Sequence, residues 1–96
     1  MAILSFSSNE TKMFFETGLV PKKAGWAKLR AVAARKLDMI DYAVKLSDLR
    51  VPPNNRLEKL SGNLKGFYSI RINDQWRVVF QWTPNGAESV DIVDYH

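Results

Sequence analysis

From Phe67 onward the chain alternates apolar and polar residues with a period of two, and one short turn in that stretch sets the register around it. Tyr68, Ile70 and Ile72 alternate with Phe67, Ser69 and Arg71. Trp76, Val78, Phe80 and Trp82 alternate with Arg77, Val79 and Gln81, and Val90 and Ile92 alternate with Asp91, Val93 and Tyr95. Such alternation marks strands with one face buried. Turn residues fall at Asn73-Asp74-Gln75 and around Pro84-Asn85-Gly86. With the first of these as a hairpin loop, Ile72 faces Trp76, Arg71 faces Arg77 and Ile70 faces Val78. A slip of one residue would pair Ile70 with Arg77 and mix the two faces. The pattern predicts a three-stranded antiparallel meander.

Its apolar face needs a cover, and the residues before it supply one. Trp26, Leu29, Ala33, Leu37, Ile40 and Val44 recur every three or four positions, which predicts a long helix over 26–46. Ser7-x-x-Glu10 has the form of a capping box. It predicts a short helix through Thr11–Glu16, stopped by Gly18. Ile3–Phe6 reads as a first strand, and 48–66, broken by Pro52 and Pro53, as a long loop. The expected architecture is α+β, an antiparallel sheet of about four strands against two N-terminal helices, in the order β-α-α-β-β-β.

A chain of 96 residues, 46% hydrophobic and 25% charged, suits one domain spanning 1–96. It has no cysteine, so disulfide and thiolate chemistry are excluded, and its one histidine and scattered carboxylates predict no metal site and no cofactor. No apolar run reaches a membrane span, and the first residues are too short for a secretory segment, so the expected place is the cytoplasm. A net charge of +4 favours an anionic partner, nucleic acid above all, although solubility alone would also account for it.

The hairpin register places Arg71 and Arg77 side by side, a destabilising pair of like charges. An anion seated between them would offset that cost. Tyr95 falls on the same face by alternation, and Asp94-Tyr95-His96 brings a carboxylate, a phenol and the sole histidine to the sheet end. Arg56, Lys59 and Lys65 of the loop add positive charge, and Phe67 could stack on an unpaired base. Guanidinium groups match phosphate oxygens, and imidazole moves protons near neutral pH. The set suits metal-free RNA cleavage, in which the ribose 2′-hydroxyl attacks and the protein supplies base, acid and cations. No P-loop, dinucleotide fingerprint, nucleophile elbow or zinc pattern is present.

Three stretches, Asn55-Arg56-Leu57-Glu58-Lys59-Leu60-Ser61-Gly62, Tyr68 to Phe80, and Val93-Asp94-Tyr95-His96, together resemble the HigB branch of the RelE toxin superfamily. The resemblance implies a toxin of a bacterial toxin–antitoxin pair. Such toxins cleave messenger RNA in the decoding site of the ribosome. A HigA-like helix-turn-helix antitoxin neutralises them, and they reach operator DNA only within that complex. Arg77 would stabilise the phosphate, and Asp94, Tyr95 and His96 would form the catalytic or RNA-contacting terminus. Some members carry a histidine two residues before the leucine matched by Leu60; Glu58 stands there in this chain. Ser61 replaces a lysine of the motif, with Lys59 close by.

As the sole histidine, His96 is the candidate acid for the leaving 5′-oxygen, since Asp94 and the terminal carboxylate would favour its protonated form. Glu58, Lys59 or Tyr95 would then assist deprotonation. The competing class is a binding protein without chemistry, either an RNA- or ribosome-binding module or a gyrase-directed toxin of the same superfamily. Cuts in translated messages would mark the first class, and damaged DNA the last.

Overall fold

The computed structural model describes residues 2–95 and has four strands and two α-helices: α1 (Asn9–Thr17), α2 (Arg30–Tyr42), β1 (Glu58–Lys59), β2 (Phe67–Arg71), β3 (Trp76–Thr83) and β4 (Gly86–Asp94). The sheet runs β1-β2-β3-β4, with every neighbour antiparallel. Ile70 opposes Val78 and Arg71 opposes Arg77, the register predicted from the alternation. The turn is held by Asn73, whose Oδ1 accepts from Gln75 N at 3.0 Å and Trp76 N at 2.7 Å, an asparagine side chain standing in for backbone. A bulge between Val79 and Gln81 breaks the β3–β4 register, opposite Ser89 with φ 54°.

Ile70, Ile72, Val78, Phe80, Val90 and Ile92 meet Ala33, Leu37 and Ile40 of α2 in the main core. Phe14 and Trp26 close one end, edge to face at 4.7 Å between ring centres. The helix is shorter than its apolar stripe predicted. A 3-10 turn over Ala27–Leu29 precedes it and Ala43 leaves it in extended conformation, so Val44 stands 72% exposed. The Asp48 carboxylate takes the amide hydrogens of Val44 at 2.9 Å and Lys45 at 3.1 Å, which stabilises the turn away from the helix. Those two backbone bonds, Lys45 first, hold the Asp48 carboxyl below its ordinary pKa.

Two other expectations move. The cap of α1 is Ser8, not Ser7: Ser8 Oγ accepts from Thr11 N at 3.2 Å, while Ser7 donates to the Ser89 carbonyl. The fourth strand is Glu58–Lys59 within the supposed loop, not Ile3–Phe6. Among the described residues, the N-terminal segment makes two isolated parallel bridges beside β4, Ile3 with Ala87 and Phe6 with Val90. Two residues of pairing are too few to show as alternation in sequence. Among the described residues, no helix is long and apolar enough to cross a membrane.

Candidate functional site

The sheet face turned away from α2 is built from the odd-numbered residues of β2 and β3, and Arg77 is its centre. It lies on the face away from the core, yet its side chain is enclosed, with the residue only 6% exposed. Nη2 donates to the Arg56 carbonyl at 2.5 Å, and Nη1 meets Glu58 Oε1 at 3.3 Å. The guanidinium carbon lies 4.9 Å from the centre of the Tyr95 ring. Arg56 can offer its carbonyl because it adopts left-handed backbone, φ 46°, at the end of the Pro53–Asn55 turn. Glu58 reaches the cation because it pairs with Ser69, on the same face of the sheet. Arg77 Nε and Ser69 Oγ, both buried, have no hydrogen-bond partner among the described residues.

Arg71 carries a carboxylate partner of its own. Its Nη2 pairs with Asp74 Oδ1 of the turn at 2.5 Å. Each guanidinium thus has its own carboxylate, which offsets the like-charge pairing. Asp91, on the neighbouring strand, accepts from Thr11 Oγ1 at 2.7 Å and Ser8 Oγ at 3.0 Å.

The remaining sequence-predicted residues divide between the two faces. Phe67 is half-buried and shares the Arg77 face by alternation, while Arg56 and Lys65 are exposed on the flanking segments. Lys59 is not brought to Arg77. It pairs with Tyr68 and lines a cleft of about 420 Å³ with Leu46, Ser47, Arg50 and Leu57 on the helical side. Asp94 is likewise apart from Arg77: it pairs with Trp76, and its carboxylate accepts from Gln75 Nε2 at 2.9 Å. Tyr95 N donates to the Gln75 carbonyl at 2.7 Å, which seats the phenol. His96 lies outside the described residues. No group of three metal-binding side chains gathers among the described residues.

One element of the site escaped the sequence reading. Lys36 is 8% exposed, on the inner side of α2, with Nζ 2.6 Å from Asn55 Oδ1. Burial, and then the charges of Arg35 and Arg71, lower its pKa. The signal was available: Lys36 falls three residues after Ala33 and four before Ile40, a cation inside the apolar stripe.

The family model that describes a "RelE-like toxin of type II toxin-antitoxin system HigB" matches residues 4–96. Toxin HigB-1 of Vibrio cholerae is 60% identical over 53 residues, 55% of this chain and 56% of that protein. This chain thus spans little more than half the length of that relative. Endoribonuclease HigB of Proteus vulgaris is 29% identical over 94 residues, 98% of this chain and 99% of that protein. The YoeB–YefM toxin–antitoxin complex of Staphylococcus aureus contains a chain of the same fold, with a TM-score of 0.60 at 19% identity, covering 100% of this chain and 99% of that one.

Proposed function

The chain belongs to the HigB-like toxins, RelE-like toxins of type II toxin–antitoxin systems, and from that premise we propose that it is an endoribonuclease that cuts messenger RNA in the ribosomal decoding site. It acts in the cytoplasm as one domain, needs no metal, and is silenced by a HigA-like helix-turn-helix antitoxin. The endoribonuclease named among its relatives supports this reading. The observation that carries it is the arrangement of Arg77, Glu58 and Tyr95 on one face.

In such cleavage the ribose 2′-oxygen bonds to the adjacent phosphorus and the bond from phosphorus to the 5′-oxygen breaks. The products are a 2′,3′-cyclic phosphate and a 5′-hydroxyl. One proton leaves the 2′-hydroxyl and one must reach the 5′-oxygen. Glu58, half exposed at the edge strand, is assigned the first, and His96, the residue after Tyr95 in the sequence, the second. Arg77, of whose five N–H donors Arg56 and Glu58 engage two, is assigned the charge that builds on the phosphate oxygens, which the RNA reaches by displacing part of the cover over the guanidinium. Arg56, Arg71, Lys59 and Lys65 add affinity through phosphate contacts.

The test is to induce the protein in growing cells without antitoxin and map new RNA 5′ ends. Ends clustered in translated reading frames are expected. Intact messages with broken chromosomal DNA would instead indicate a gyrase-directed toxin.

A further inference from the structure

A lysine in an apolar helix stripe needs a reason, because methionine or leucine would fill the space without desolvating a charge. The Lys36 ammonium is held by Asn55 Oδ1 at 2.6 Å. Asn55 is itself fully enclosed, and its amide nitrogen donates to the carbonyls of Leu49 at 3.2 Å and Val51 at 3.4 Å. One residue on, the Arg56 carbonyl meets Arg77 Nη2, and two residues further Glu58 meets Nη1. The segment that holds the guanidinium is therefore tied to α2 through Asn55, by the buried cation–amide contact with Lys36 and by a 3.6 Å contact of the amide nitrogen with Met39 Sδ. Without the lysine, Asn55 would keep an unsatisfied buried oxygen.

We infer that Lys36 is a positioning residue: through Asn55 it sets the segment whose Arg56 carbonyl and Glu58 carboxylate fix Arg77. The inference rests on the nuclease reading for its rate effect and not for its geometry. Lys36 touches no reacting atom.

The experiment compares wild type with Lys36→Met and Lys36→Arg by two readouts on folded protein. One is the side-chain Nε–H resonance of Arg77, assigned by its loss in Arg77→Lys. The other is cleavage on programmed ribosomes, resolved into kcat and KM. In Lys36→Met the Arg77 resonance should move toward that of a free arginine. Its kcat should fall about tenfold to a hundredfold with KM little changed, the scale on which a small misplacement remote from the chemistry costs rate. Lys36→Arg, which keeps a charged donor, should restore both in large part. An unmoved resonance with unchanged kcat overturns the inference, even if the melting temperature falls, because the lysine would then serve stability alone. A moved resonance in a protein whose wild type cuts no RNA supports the positioning role and removes the nuclease reading. If Lys36→Met does not fold, Lys36→Gln, whose shorter side chain withdraws the donor from Asn55 but leaves a polar end in the site, is judged by the same criteria.

Discussion

The Tyr95 ring lies over the Arg77 guanidinium, 4.9 Å from ring centre to guanidinium carbon, while Glu58 and the Arg56 carbonyl hold the same cation from the edge strand. A cation against an aromatic face contributes roughly 0.5–2 kcal/mol, more as the pair is desolvated. Tyr95→Phe keeps that face, so its denaturant midpoint should match wild type. Loss of the hydroxyl should nevertheless slow cleavage by about 10²-fold, the usual share of a proton-transferring group. Tyr95→Ala should lose both. Single-turnover cleavage and urea titration on the three proteins separate the two effects.

Arg77→Ala should affect both stability and function. Its burial means that removal strips the Arg56 carbonyl of a donor and leaves Glu58 unpaired, a loss of about 1–3 kcal/mol of stability. Transition-state stabilisation should fall by roughly 3 kcal/mol as well, the scale for one lost charge-stabilising donor. The variant should be non-toxic in growing cells and melt measurably earlier. Full toxicity would contradict the role given to Arg77.

That stability effect comes from burial that the sequence pattern does not reveal, and the reason is local. Alternation showed which face Arg77 occupies, because period two leaves no other choice once Asn73-Asp74-Gln75 is the turn. It did not show that the face is covered. The cover comes from the Pro53–Asn55 turn and the two-residue strand Glu58–Lys59, elements too short for any periodicity. The same short strand decides that Glu58 joins Arg77 while Lys59 turns to the opposite side. Helix ends were legible to within a residue where a glycine marks them, as at Gly18. They were overrun where an acid six residues on rearranges the exit, as Asp48 does beyond Tyr42.

Lys36 should give the fold an unusual pH response. Its pKa is lowered in the folded chain from the ordinary lysine value of 10.5 by burial and by Arg35 and Arg71. The unfolded chain therefore binds the proton more tightly, and the group contributes more stability as pH rises from the folded pKa toward 10.5. The unfolding free energy of wild type should thus gain on that of Lys36→Met over the alkaline range. Urea titrations at a series of pH values measure the difference, and a gap that moves the other way would show that burial does not disfavour the charged form.

Gly86→Ala should release the N-terminal segment. Gly86 has φ 147°, and a side chain there would strike the Ala2 carbonyl, which accepts from Ala87 N at 3.0 Å. Backbone strain of this kind costs about 1–3 kcal/mol. Gly18→Ala, at an open left-handed helix end with φ 80°, should lose only about 1 kcal/mol. Amide exchange at Leu4 and Val90 should quicken in the first variant alone, since both amides bond between the N-terminal segment and β4.

The central claim, cleavage of messenger RNA on the ribosome by a histidine-assisted site, is tested most directly by single-turnover reactions with purified ribosomes paused on a defined message. Wild type should cut within the codon in the decoding site and leave a 5′-hydroxyl, with negligible cutting of the same RNA free in solution. His96→Ala should bind the paused ribosome as tightly, since phosphate contacts by Lys and Arg supply most of the affinity, and cut about 10²-fold more slowly. Equal rates with and without ribosomes, or a His96→Ala protein as fast as wild type, would contradict the account.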